Sequence, residues 1–151
     1  MLYSCFTQER ELASIAVIDA GSAMWVMGGL DADSTGQFTT QVVRDGQPTT
    51  WGPNLTEAVY GHCSVTLEDG SVMTTGGRRE STPSGSPKME VYNFTSKFWT
   101  RKADLRMRRF NHSCTLVWLN TEDPDVNGIV QTGSVSNNSV LSVVVAGGKF
   151  L

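Results

Sequence analysis

Charge, proline, cysteine and histidine are all scarce in this chain. Charged residues make up 18% of its 151 positions, and 12 Lys and Arg against 15 Asp and Glu leave a net charge of −3. That balance lacks the basic stripe on which general nucleic-acid binding depends. No apolar run approaches the roughly 18 residues a membrane-spanning helix needs. Three cysteines, Cys5, Cys63 and Cys114, are too few and too odd in number to read as a disulfide framework. Neither of the two histidines, His62 and His112, has a CxxC or HxxxH partner nearby, so the sequence names no metal site. Glu9, Arg10 and Glu11 interrupt the N-terminal stretch before any apolar region of useful length, so it does not read as a signal peptide.

What is present points to a folded, turn-rich β protein. The apolar fraction of 39% separates the chain from disordered sequences, and 15 glycines against 5 prolines suit many tight turns. The length is that of one domain with a real core.

The organising signal is internal repetition. A shift of 48 residues carries Gly76 onto Gly28, Gly77 onto Gly29, Val91 onto Val43, Trp99 onto Trp51 and Val65 onto Val17, without a gap. Fixed-period self-similarity on this scale marks a repeat architecture. Each unit has an apolar run ending in Gly-Gly, seen in AMWVMGG (Ala23–Gly29), SVMTTGG (Ser71–Gly77) and VLSVVVAGG (Val140–Gly148). In the second unit Val91-Tyr92 and then Trp99 follow the glycines; the first unit has Arg44 where the tyrosine is expected.

This grammar resembles the kelch repeat over nearly the whole chain. The resemblance implies four-stranded antiparallel sheets stacked as the blades of a β-propeller, an all-β fold. It makes Gly28, Gly29, Trp51, Gly76, Gly77, Tyr92, Trp99, Gly147 and Gly148 the structural motif residues. Glycine fits where a strand end bends sharply against a neighbouring backbone, and Tyr and Trp supply large apolar faces between sheets. The expected organisation is a lead-in over 1–11, one blade over 12–53, a second over 54–104, and part of a third over 105–151.

Alternation and turn residues place the strands. They are expected at Leu12–Asp19, Met24–Met27, Phe38–Arg44 and Thr49–Trp51, with Asp45-Gly46 as a hairpin turn. The second unit should form strands at His62–Leu67, Val72–Thr75, Met89–Tyr92 and Phe98–Arg101. The third should begin at Asn111–Leu119 and resume at Val140–Ala146. The segment 120–139 between them is an insertion, holding either an extra strand near Gly128–Thr132 or a long exposed loop. Its acids Glu122, Asp123 and Asp125 lack the full pattern of a calcium loop. Two full units and part of a third do not close a propeller. The chain is therefore expected either to be a piece of a longer one or to self-associate to complete it.

Few residues are candidates for chemistry. His62 and His112 hold the same repeat position and read as hydrogen-bonding groups inside the sheets. Cys63 and Cys114 sit beside them, one residue out of register with each other, and read as small buried residues. The basic residues are the better lead. Strands alternate in direction, so the loop after the second strand of a unit and the loop joining one unit to the next emerge on one face. That brings Arg78 and Arg79, with Lys88, towards Arg106, Arg108 and Arg109. Arginine offers planar paired donors suited to carboxylates. Asp31, Asp33 and Glu57 in the equivalent loops of the first unit would make that face bipolar.

The leading expectation is therefore a non-enzymatic protein-interaction module, with the five arginines presented to a protein partner such as an acidic peptide. No cofactor and no nucleic acid are expected. The alternative is part of a kelch-propeller enzyme, such as a galactose-oxidase-like copper oxidase or a sialic-acid epimerase. A copper-radical site needs converging histidines and tyrosines, whereas Tyr3, Tyr60 and Tyr92 are scattered. The compartment stays open. The balance tips to the cytoplasm, while Asn54-Leu-Thr, Asn93-Phe-Thr, Asn111-His-Ser and Asn137-Asn-Ser have the form of N-glycosylation acceptors.

Overall fold

The computed structural model describes residues 8–120, 129–136 and 139–149. Its sheets are antiparallel throughout and follow one another along the chain. The first joins β1 (Ser14–Ile18), β2 (Ala23–Met27), β3 (Thr40–Arg44) and β4 (Thr50–Trp51) in sequence order. The second joins β5 (Tyr60–Thr66), β6 (Val72–Arg78), β7 (Met89–Asn93) and β8 (Phe98–Arg101) in the same way. The fold class is the expected one, all-β with four-stranded antiparallel sheets, and among the described residues no sheet closes into a barrel.

Strand character follows from position in each sheet. The edge strand β1 alternates buried and exposed residues, the pattern of a strand with one face covered. The inner strand β6 is buried on both faces from Val72 to Gly77, whereas the outer strand β8 is largely exposed.

The third sheet contains β9 (Ser113–Asn120), β10 (Ile129–Ser136) and β11 (Ser139–Ala146), in the order β10-β11-β9. The pairing of β9 with β11 reproduces the first two strands of a unit. The extra strand allowed for in the insertion is real and longer than expected, and it takes the free edge of β11. Glu122, Asp123 and Asp125 lie outside the described residues, as do Tyr3, Cys5 and Asn137.

The register corrects the gapless 48-residue alignment. Measured from the glycine pairs, Trp25 stands opposite Val42, while the equivalent Met73 stands opposite Val91. The offset over this strand is thus 49, and Val43, not Arg44, holds the place of Tyr92. The slip doubles at the tryptophans: Trp99 pairs with Tyr92, but Trp51 pairs with Gln41, two residues along the strand from Val43. Trp99 packs against the first sheet and its Nε1 donates to the Asn54 carbonyl at 2.8 Å. Trp51 was expected to be a core builder. It lies on the outer face of the first sheet and is 62% exposed, since no described sheet covers that face.

Two cores lie between the sheets. Between the first and second, Ala16, Ile18, Trp25, Met27 and Val42 meet Val72 and Tyr92. Trp25 is fully buried, donates from Nε1 to Thr40 Oγ1 at 2.8 Å, and touches the rings of Tyr92, Phe94 and Trp99. Between the second and third, Met73, Met89 and Val91 meet Val143, Val145, Cys114 and Leu116.

The glycine pairs set the spacing of these junctions. A Cβ on Gly28 would lie 2.4 Å from the Val59 carbonyl oxygen, and one on Gly76 would lie 2.6 Å from that of Arg109. The second glycine of each pair makes the matching bond: Gly29 N–H donates to Val59 and Gly77 N–H to Arg109, both at 2.9 Å. The residue that opens each unit is left-handed, with φ of 53° at Leu12, 60° at Gly61 and 51° at Asn111. Gly61 donates to Leu12 and Asn111 donates to Gly61, so these three kinked residues link the first strands of successive units.

Candidate functional site

The two loops expected to share a face do so. The loop from Arg79 to Lys88 lies along the linker before β9: Ser86 bridges Arg109, and the Gly77 amide reaches the Arg109 carbonyl at 2.9 Å. Chain direction alone produces this, because β6 ends and β9 begins on one rim of the molecule.

The five arginines on that rim have different fates. Arg79 is buried, and its Nε forms an ion pair with Glu57 Oε2 at 2.8 Å. Burial is the main influence on its guanidinium and lowers its pKa, with Glu57 and Glu90 opposing. Arg78 is half-buried and lies over the rings of Phe110 and Tyr60, at 4.8 and 5.9 Å from their centres, a cation–π arrangement. Arg109 donates from Nη1 to the carbonyls of Gly147 at 3.2 Å and Val145 at 3.4 Å. Arg106 and Arg108 are exposed, with exposed Met107 between them, and Arg108 Nη1 lies 3.5 Å from Ser84 Oγ.

Arg109 has a counterpart that spacing alone did not reveal. Arg10 stands two residues before Leu12 as Arg109 stands two before Asn111. Arg10 donates from Nη1 to Gly28 and Thr39 carbonyls at 2.9 and 2.8 Å, just as Arg109 reaches Gly147. Both arginines tie down the first glycine of their own unit. Residues 8–13 are therefore docked as part of the first unit, with Glu11 paired to Leu30.

The bipolar face resolves into a network. Glu57, from the linker between the first two sheets, meets both Arg79 and Lys88, and Lys88 also meets Glu90 at 2.9 Å. Thr56 donates to Glu90 Oε2 at 2.6 Å. Two cations are thus neutralised by two carboxylates at the junction of the sheets. Asp31 is spent on its own loop, accepting from the amides of Asp33 and Thr35 and from Gln37 Nε2.

The histidines are internal. His62 is buried, with Nε2 2.5 Å from Ser14 Oγ; burial above all, then the charges of His112 and Arg79, pushes its pKa down to about 3. His112 shares a hydrogen bond with Thr75 Oγ1 at 2.9 Å, and burial followed by Arg109 lowers it to about 4. Both rings are neutral near pH 7. Among the described residues, no three His, Cys, Asp or Glu side chains come together as a metal would require.

The cysteine reading is overturned. Cys63 and Cys114 form a disulfide with 5.9 Å between their Cα atoms, joining the second and third sheets. Their one-residue offset, read as putting them out of step, is what lets them meet. Successive residues of a strand point to opposite faces, so Cys63 faces forward to the third sheet and Cys114 faces back to the second.

On the opposite rim, a shallow groove of about 550 Å³ is lined by Asp69, Ser71, Asn93, Ser96 and Lys102 among others. The Asp69 carboxyl there is held below its usual pKa chiefly by the hydrogen bonds of Ser71. Compared with protein-family models the chain matches none, and a search of curated proteins returns no match.

Proposed function

We propose that the chain is a protein-interaction module of the kelch-repeat type, and that it binds an acidic peptide segment along the rim formed by loops 79–88 and 102–112. The observation that carries this reading is the exposed run Arg106-Met107-Arg108 beside the Arg79–Lys88 loop. Two guanidinium groups flanking an apolar side chain suit a peptide with carboxylates on either side of a hydrophobic anchor. Arg78, Arg79 and Arg109 serve the rim from behind: they hold the two loops together and leave the exposed pair as the recognition element.

Fluorescence anisotropy with labelled acidic peptides tests this. Arg106→Glu with Arg108→Glu should weaken binding about tenfold or more, near 1.4 kcal/mol. Lys97→Glu, at the β7–β8 hairpin on the far rim, should leave it unchanged. Equal affinity for all three proteins contradicts the reading.

A further inference from the structure

Two features that play no part in peptide recognition converge. The Cys63–Cys114 disulfide is a bond that persists in oxidising compartments and is rare where thiols are kept reduced. The sequence also carries Asn-x-Ser/Thr triplets, the acceptor form for N-linked glycosylation of proteins in the secretory route. We propose that Asn54 and Asn93 carry N-linked oligosaccharides.

The fold sorts the triplets. Asn54 is exposed in the linker between the first two sheets, and its contribution to the fold is through its backbone carbonyl, which accepts from Trp99. Asn93 opens the hairpin between β7 and β8. Its Oδ1 accepts from the amides of Thr95 and Ser96, both at 2.9 Å, and its Nδ2 takes no part in those bonds. Residues 94–98 beyond it are all exposed. Asn111 is different: it is a left-handed hinge donating to Gly61, and its Oδ1 lies 2.3 Å from where a Gly61 Cβ would be. Asn111 is itself exposed, but its side-chain oxygen lies against the Gly61 backbone, where the first strands of two units meet. Asn137 lies outside the described residues.

In the transfer, the asparagine Nδ2 forms a bond to the anomeric carbon of an oligosaccharide carried on a lipid diphosphate. The carbon–oxygen bond to the diphosphate breaks, the lipid diphosphate leaves with the electron pair, and the amide gives one proton to a base of the transferase. At Asn54 the step precedes folding, because Leu55 is buried and the Thr56 hydroxyl is bonded to Glu90 in the folded chain.

The test uses the protein purified from its native cells, treated with peptide-N-glycosidase in ¹⁸O-water and mapped by mass spectrometry without reduction. The expected result is ¹⁸O-labelled aspartate at positions 54 and 93, together with a linked Cys63–Cys114 peptide. Asparagine retained at both positions, or free thiols at both cysteines, overturns the proposal. A second arm expresses Asn54→Gln and Thr95→Ala in the same cells; the latter removes the acceptor while keeping the Asn93 turn. Each should gain gel mobility by one glycan step, and unchanged mobility in both overturns it.

Discussion

The Cys63–Cys114 disulfide occupies the place in the second junction that the Ser14–Ser64 hydrogen bond occupies in the first. Ser14 and Cys63 each pair with the residue just before a glycine pair, Met27 and Thr75. Ser64 and Cys114 each pair with the residue before that, Thr74 and Val145. The serine oxygens are 2.5 Å apart, and the sulfurs of the next junction are bonded.

A second disulfide should therefore form in the Ser14→Cys, Ser64→Cys double variant. It closes a loop of similar length, so it should add about 2–4 kcal/mol to unfolding, less about 1 kcal/mol for the lost Ser14–His62 bond. Removing the native one with Cys63→Ser and Cys114→Ser should cost a comparable amount. Non-reducing peptide mapping and urea denaturation check both.

Gly76→Ala should be far more damaging than Gly70→Ala. Both glycines have positive φ, 64° and 79°, but a Cβ at Gly76 would lie 2.5 Å from His112 and 2.6 Å from the Arg109 carbonyl, while Gly70 has open space. Backbone strain alone costs about 1–2 kcal/mol. Gly70→Ala should stay in that range in thermal denaturation, and Gly76→Ala should exceed it clearly.

The buried histidines make stability fall on mild acidification. Unfolded histidine titrates near 6.5, whereas His62 and His112 are lowered to about 3 and about 4 by burial. Above pH 6.5 both states are neutral and the full stability is present. As the pH drops from 6.5 towards 4, the unfolded chain takes up protons that the folded chain refuses, and stability falls by up to about 1.4 kcal/mol per pH unit for each ring. Urea midpoints at pH 7.5, 6 and 5 should decline in order; a flat series contradicts the burial of these rings.

Arg79 and Arg108 should separate under alanine substitution. Arg79→Ala removes a buried side chain and its ion pair, leaving Lys88 as the partner of Glu57, and should cost about 1–3 kcal/mol of stability. Arg108→Ala removes an exposed side chain and should stay within about 0.5 kcal/mol. Under the proposed function, its effect is read in peptide binding.

Much of the architecture was readable because the glycine pairs and the alternation of apolar residues are local signals. β8 matches its expected span, and most other strands differ only at their ends, as strand ends do when a bulge or a kinked residue such as Gly61 intervenes. The slip at β3 was hidden: the first unit is one residue shorter than the second both before Thr40 and in the hairpin before Thr50, yet the sequence spacing from glycine pair to tryptophan is the same in both units. The disulfide was hidden for a different reason: it depends on which face of a strand looks at the next sheet. The arginine rim was legible in outline from strand direction. Its division into internal and exposed members was not, because Glu57, Phe110 and the Gly147 carbonyl reach it from elsewhere in the chain.

Hydrogen–deuterium exchange on the full chain, with and without a bound acidic peptide, tests the central claim most directly. Protection on binding should concentrate in residues 80–86 and 103–111, the two loops of the arginine rim. Protection confined to the opposite rim, at the turns 19–22, 45–49, 68–71 and 94–97, would contradict it.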